Sequence, residues 1–413
     1  MRPTTGGNLA HARAAAKSAH VRISLPAGDI ARTAPPHEVL DVIDPARAAA
    51  ARTEMRGLPG YAPTPLVSLD GLADRLGVRE VACKDESGRF GTGAFKALGG
   101  AYAVLSCVSD EIERADGARP STAEILAGHP VAEAITTVTA SAGNHGRSVA
   151  WGSELCGCAC VIVLPEGTDP ARAAAIESHG ATVEWFPGVY DDAVDWVDRV
   201  AAERGWTVVS DTAYPGYEEI PRRVYEGYTL LADEVLETRR AESAPPPTHL
   251  FIQAGVGGLA TGVCGHLWHE LGADRPAFIA VEPLSADCFG RSIRAGVPTT
   301  VAGPFDTHMG GLASGVPSTL AWRVLGRCFD GAVAISDETS DRGAAALETG
   351  ELGARILAGP SGSSGVGALL ALARLPSARR LFALDDESRV LVLVTETRFG
   401  PAAPVVEPPA AAV

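Results

Sequence analysis

The stretch Ile252–Leu267, "IQAGVGGLATGVCGHL", runs from an apolar strand through a glycine turn into a helix. Its strand ends at Ala254, the turn is Gly255-Val256-Gly257-Gly258, and the helix opens near Leu259. Glycines let the backbone come close to a ligand, and the helix N-terminus offers free N–H groups, so the turn is an anion cradle suited to phosphate. It also imitates a dinucleotide fingerprint, because Glu282 ends the following strand where a ribose-binding acid would stand. A tight turn with no ligand would read the same way.

Outward from this unit, short β-branched runs alternate with helical patterns. Strands are predicted at "EVACKDE", "AITTVTAS", "CACVIVLP", "TVEWFP", "WTVVSD", "THLFIQA", "AFIAVEP" and "RVLVLVTE", with helices such as "DPARAAAIESHG" and "YDDAVDWVDRVAAERG" between them. Near-continuous apolar strands in such alternation predict an α/β fold of parallel sheets covered on both faces, with ligands at the carboxyl ends of the strands. Residues 1–40 are rich in Ala, Arg and Pro and are expected to form an extension, and 401–413 a flexible tail. The net charge of −15 argues against nucleic acid or an anionic membrane as partner. The absence of a long apolar run or a signal-peptide core makes a cytoplasmic protein the expectation. The cysteines of "CGCAC", Cys156, Cys158 and Cys160, lack a second ligand pair and read as buried thiols, so no metal is expected.

Two more strand ends carry chemistry. In "TASAGNHGRSVAW" the strand stops near Ala140, and Ser141, Ala142, Gly143, Asn144 and His145 lead into a helix, a second anion-accepting start. In "VLVLVTETRFG" Thr395 follows an apolar run and places a hydroxyl at the sheet rim, although Thr also simply favours strands. Chemistry that needs a free amine has three choices, because the 35 basic side chains include only Lys17, Lys84 and Lys96. Lys17 lies in the extension, and Lys84 sits on a strand among Glu80, Asp85 and Glu86, where an ion pair is expected. Lys96, in "GRFGTGAFKALGG", opens a helix. A cation there is electrostatically unfavourable, and the helix end and partial desolvation favour the neutral amine that imine chemistry requires.

An imine-forming lysine, a phosphate turn and a carboxylate-binding helix start suggest pyridoxal 5′-phosphate (PLP). The chain resembles the fold-type II PLP enzymes, the tryptophan synthase β-like group, and within it the diaminopropionate ammonia-lyases. The resemblance is carried by "KDESGRFGTGAFKALGGAY", "GNHGRSVAW", "VVSDTAYPGYEEIPRRVYEGY", "IQAGVGGLATG", "VEPLSADC", "MGGLASGVPSTLAW" and "GPSGSSGVGALL", spread over about residues 60 to 398 in the family's order. It implies two doubly wound α/β domains with the cofactor in the cleft between them. Residues 41–99 and 221–400 would form the large PLP-binding domain, and 100–220 the small one.

Residue by residue, the resemblance makes Lys96 the Schiff-base lysine and Phe95 the ring beside it. Gly255, Val256, Gly257, Gly258 and Leu259 match the phosphate loop, Asn144 the contact to the cofactor's 3′-oxygen, and Thr395 the hydroxyl facing the pyridine nitrogen. Ser141, Ala142, Gly143 and His145 fall in the loop that holds the substrate carboxylate, and Asp211 matches a substrate-side acid. The implied activity is β-elimination from a small L-amino acid by a homodimer, releasing ammonia and a 2-oxo acid. The family's "DGNHG" is "SAGNHG" here, so Ala142 replaces an acid associated with D-isomer use, and Pro215 replaces a favoured acid in "YPGYEEIP". The first change brings the wording closer to serine/threonine dehydratases, which with β-replacement enzymes form the alternative reading. A catalytically silent PLP-binding relative and an NAD-dependent oxidoreductase built on "GVGGLATG" and Glu282 are more remote alternatives.

Overall fold

A computed structural model describes residues 20–28, 30–188 and 190–399. Lys17 and the expected 401–413 tail lie outside these residues. The strands are β1 Val21–Ser24, β2 Leu66–Ser68, β3 Glu80–Asp85, β4 Thr136–Ala140, β5 Ala159–Pro165, β6 Thr182–Phe186, β7 Thr207–Val208, β8 His249–Gln253, β9 Ala277–Pro283, β10 Phe329–Ile335 and β11 Arg389–Val394. They form a seven-stranded sheet, in order β1-β10-β9-β8-β11-β3-β2, and a four-stranded sheet, in order β6-β5-β4-β7. Pairing is parallel throughout except at the two edges of the large sheet, where β1 on β10 and β2 on β3 run antiparallel.

Alternation along the central strands explains their continuous hydrophobicity. Leu250, Ile252, Leu391 and Leu393 join one apolar core, while Phe251, Val390, Val392 and Val394 join another on the opposite face. Both faces are therefore covered, as parallel sheets require. Three strands were not foreseen. β1 lies inside the stretch expected to be an extension, β2 has three residues, and β10 reads "FDGAVAI", with Gly and Ala diluting the β-branched signal.

Six helices position the site: α1 Ala97–Asp116, α2 Asn144–Cys156, α3 Glu219–Ala241, α4 Gly258–Leu271, α5 Cys288–Ala295 and α6 Pro360–Ala373. Among the described residues no helix is long and apolar enough to cross a membrane, and no group of three or more His, Cys, Asp or Glu side chains is arranged to hold a metal ion.

Four charged side chains, each no more than 1% exposed, join β3 to α3. Lys84 donates to Glu234 Oε2 at 2.6 Å and to the Thr64 carbonyl at 2.7 Å. Arg89 donates to both Glu234 and Glu86 at 2.8 Å. Lys84 thus has an ion pair, as expected, but with Glu234 of a distant helix rather than with its strand neighbours. Removing one partner leaves buried charge uncompensated, which typically costs ~3–5 kcal/mol. Glu234→Gln should lower the unfolding free energy of the cofactor-free protein by about that amount in urea titration; a loss below about 1 kcal/mol would mean that the pairing is dispensable.

Candidate active site

Lys96 is the residue immediately before α1, and its Nζ donates to Asp211 Oδ2 in a short contact. The two side chains are 20% and 19% exposed, so the pair is recessed yet reachable. Nζ lies 5.4 Å from the centroid of the Phe95 ring, which packs on Tyr228 at 4.9 Å. The Phe95 N–H donates to the Thr395 carbonyl at 3.0 Å, and the Thr397 N–H to the Gly93 carbonyl at 2.8 Å. The end of β11 and the segment leading to Lys96 are therefore laced together, which brings Thr395 (3% exposed) to the same cleft.

Burial alone would raise the Asp211 carboxyl, but the Lys96 ammonium beside it holds it well below the usual carboxylate range. His145 is shifted the other way. Burial lowers it, and Lys96 adds to that against the pull of Asp211. Its Nε2 faces the Val209 carbonyl at 2.8 Å and so carries the proton. Its buried Nδ1 has no hydrogen-bond partner among the described residues and lies 3.9 Å from Asp211 Oδ2. The cleft thus holds one amine, one ionised carboxylate and a neutral imidazole with a free lone pair.

The glycine turn is linked to this pair by hydrogen bonds. Tyr225 Oη donates to the Asp211 carbonyl at 3.2 Å and lies 2.8 Å from Ser318 Oγ, while the Ser318 N–H donates to the Val256 carbonyl at 2.9 Å. α4 starts at Gly258 with no side-chain cap, as does α2 at Asn144, so two helix N-termini remain available to anions. The glycines themselves have a reason beyond close approach to phosphate. Gly257 adopts φ 101°, and a Cβ there would lie 2.6 Å from Phe289; one on Gly258 would lie 2.6 Å from Tyr225. Substitution at either position therefore costs stability directly, besides any loss of close approach to phosphate. A Cβ on Gly143, by contrast, would meet nothing within 4 Å, which leaves the start of α2 open.

In the loop before α2, Ser141 Oγ accepts the Gly143 N–H at 3.4 Å, and Ala142 packs partly buried against the apolar core. Asn144 Nδ2 donates to Glu396 Oε2 at 2.6 Å. Glu396, Tyr225 and Ser318 are cleft residues that sequence reading passed over. Glu396 had a signal, an acid directly after Thr395 at a strand end; the other two had none beyond their place in the family stretches.

Glu282 is fully buried and accepts the Phe289 and Gly290 N–H groups at 2.7 and 2.8 Å, capping α5. That occupation removes the ribose-binding acid on which the dinucleotide reading depended. Lys84, sealed in its ion network, is no rival to Lys96. An accessible amine, two uncapped helix starts for two anionic groups and a recessed carboxylate form a donor set that fits PLP bearing an amino-acid substrate.

A family model described as "Pyridoxal-phosphate dependent enzyme" matches residues 58–396. The chain belongs to that family, and PLP is its cofactor. It is homologous to diaminopropionate ammonia-lyase: over 372 residues, 87% of this chain and 90% of the relative, it is 38% identical to that of Escherichia coli strain K12. A crystal structure of the E. coli diaminopropionate ammonia-lyase in complex with D-serine superposes with a TM-score of 0.82 at 35% identity, covering 91% of this chain and 94% of that one. Maize serine racemase shares the fold alone, with a TM-score of 0.67 at 19% identity over 87% of this chain and 94% of that one.

Because the Asp211 carboxyl is depressed in the folded state, its pairing stabilises at pH values above its unfolded pKa of about 4 and is lost as pH falls toward the folded value. Cofactor-free Asp211→Asn should therefore be less stable than wild type by ~1–3 kcal/mol at pH 7, with the gap closing in acid. A gap that widens on acidification would contradict the assigned pairing.

Proposed function

We propose that this PLP-dependent lyase expels a β-substituent from a small L-amino acid in the manner of diaminopropionate ammonia-lyase, releasing ammonia and a 2-oxo acid. The observation that carries the reading is the Lys96–Asp211 pair, set among two uncapped helix starts. PLP, when bound, supplies the electron-withdrawing system that acidifies the substrate's α-proton. Lys96 Nζ is the amine that holds it, and Gly255 to Leu259 are its phosphate loop. Thr395 would offer its ring a neutral hydroxyl, which would not sustain a positive charge there and so would suit prompt elimination over transamination. The substrate carboxylate rests on the N–H groups at the start of α2, from Gly143 to His145.

Lys96 Nζ, once free, takes the α-proton as general base, a role typically worth ~10²–10⁴-fold. The resulting ammonium is held against Asp211 Oδ2. As it forms, the β-nitrogen, carried as an ammonium against the same carboxylate, takes the electron pair of the breaking C–N bond and departs as a neutral amine. His145, neutral and tied to Val209, keeps this corner free of a second cation. Assembly as a cytoplasmic homodimer belongs to the same reading and is supported by the family resemblance.

A second reading, a serine/threonine dehydratase-like enzyme, is favoured by one observation: Ala142 stands where the ammonia-lyases carry an acid. Turnover of amino acids bearing β-NH₂, β-OH and β-acyloxy groups, followed as 2-oxo acid, separates the two. The proposal expects diaminopropionate as the best substrate and Lys96→Ala to lose both turnover and the visible absorbance of bound cofactor. L-Serine as the best substrate would transfer the assignment to the dehydratase-like reading.

With a methyl group at position 142, Lys96 is the remaining base, and it serves one face of the substrate. The L-isomer should be turned over ~10²–10⁴-fold faster than the D-isomer, and Ala142→Asp should raise D-isomer turnover. Equal rates for the two isomers in the wild type would refute the single-base arrangement.

A further inference from the structure

Glu396 is an acid in the cleft to which the proposed reaction assigns no role, yet its surroundings are built around it. It follows Thr395 at the end of β11. Oε2 accepts from Asn144 Nδ2 at 2.6 Å, and Oε1 accepts from the Ser361 N–H at 3.2 Å in the first turn of α6. Its main-chain carbonyl accepts the Gly359 N–H at 3.0 Å. A Cβ on Gly359 would lie 2.9 Å from Glu396 Oε1, and one on Gly362 would lie 2.6 Å from the Glu396 carbonyl oxygen. Asn144 belongs to the lobe of the four-stranded sheet, whereas Glu396 and Ser361 belong to that of the seven-stranded sheet. Burial is the largest influence on the Glu396 carboxyl and leaves it above its ordinary value, against the smaller downward pull of Ser361, Arg172 and Asn144.

An amide side chain presents two N–H donors at one end and an acceptor at the other, and only its partners decide which way it lies. Both carboxyl oxygens of Glu396 are acceptors here, Oε1 from the Ser361 N–H and Oε2 from Asn144, so Glu396 faces the Nδ2 end of Asn144. The second hydrogen on that nitrogen is then left for a ligand. We propose that Glu396 is a positioning residue: it sets the Asn144 amide so that Nδ2 donates to the cofactor's 3′-oxygen, and it latches the two lobes together at that point. This inference rests on the reading of Asn144 as a cofactor contact.

Glu396→Gln makes the test sharp because the replacement is isosteric. Its carbonyl oxygen remains on the Ser361 N–H, so its amino group faces Asn144, which must turn Oδ1 toward it and its own amino group away. PLP titration of the cofactor-free variant should show ~10- to 100-fold weaker binding, the range of a hydrogen bond to a charged group, and a changed visible spectrum of bound PLP. The melting temperature of the cofactor-free protein should stay near that of wild type. Asn144→Ala should weaken PLP binding similarly, and adding Glu396→Gln to it should weaken binding no further.

The exchanged pair Asn144→Asp with Glu396→Gln rebuilds the bridge with donor and acceptor swapped. It should fold even if Glu396→Gln alone does not, and it should bind PLP weakly. Wild-type PLP affinity in Glu396→Gln or in the exchanged pair, additive losses in the double variant with Asn144→Ala, or failure of the exchanged pair to fold would each overturn the proposal. Wild-type affinity in Asn144→Ala would instead overturn the reading of Asn144, and the proposal with it; unchanged affinity in Glu396→Gln beside a weakened Asn144→Ala would overturn the proposal alone.

Discussion

The position of Lys96 depends on how tightly α1 is gripped. A Cβ on Gly227 of α3 would lie 2.0 Å from the Leu98 carbonyl oxygen, and one on Gly99 would lie 2.6 Å from the Tyr228 ring. On the other side, a Cβ on Gly100 would lie 1.9 Å from Ser148 Oγ, and one on Gly152 of α2 would lie 2.6 Å from the Ala101 Cα. Helices ordinarily pack with their axes 8–10 Å apart, a spacing set by the side chains at the contact. Here glycines on three helices let main chains approach where side chains would hold them off. The head of α1 consequently has little freedom, and the amine of Lys96 is presented to Asp211 from a fixed backbone. The same contacts join the two sheets' lobes, so the packing that fixes the amine also forms the cleft.

The topology explains why five separate segments reach this point. In the large sheet the strand order runs β8-β9-β10 toward one edge and β11-β3-β2 toward the other, so the direction reverses between β8 and β11. Those two strands end in the glycine turn and in Thr395–Glu396. In the small sheet β4 lies between β5 and β7, and it ends in the Ser141–His145 loop. Each sheet thus opens at its reversal, and the two openings meet. Tyr225 and Ser318 lace this meeting point from behind and couple the carbonyl of Asp211 to that of Val256. Site geometry is in this sense a property of strand order, with side chains filling places that the sheets had already made.

Sequence reading reached the parts of this arrangement that are local. Strand ends and glycine-rich helix starts act within a dozen residues, and with the chain-wide scarcity of lysine they pointed to Lys96, to the Gly255–Leu259 turn and to the loop before α2. It failed where the cause is tertiary. Glu234 lies 150 residues from Lys84, and no local pattern announces that they pair. Glu282 has the spacing of a ribose ligand, yet it spends its carboxylate on two N–H groups of α5. The turn glycines were attributed to phosphate, whereas Phe289 and Tyr225 already exclude a side chain there. β10 escaped because burial by neighbours, rather than the propensity of "FDGAVAI", makes it a strand.

The charges of the cleft bear on the loss of an acid at position 142. With His145 neutral, the Lys96 ammonium and the Asp211 carboxylate balance one another, and on the proposed reading the start of α2 takes the substrate carboxylate with one acid, Glu396, already on Asn144 Nδ2 at 2.6 Å. A second acid at position 142 would stand one residue before Gly143, at the mouth where that carboxylate is to bind, and would oppose it. The methyl of Ala142 packs against the apolar core instead and, on the proposed reading, favours capture of the α-carboxylate. What it removes as well is a partner for a cationic β-substituent. On the proposed reading that partner is Asp211, which is available to it while Lys96 Nζ is the neutral amine. On the proposed reading, Asp211 exchanges one ammonium for another, and the depressed carboxyl needed for the first pairing is the same property that makes the second favourable.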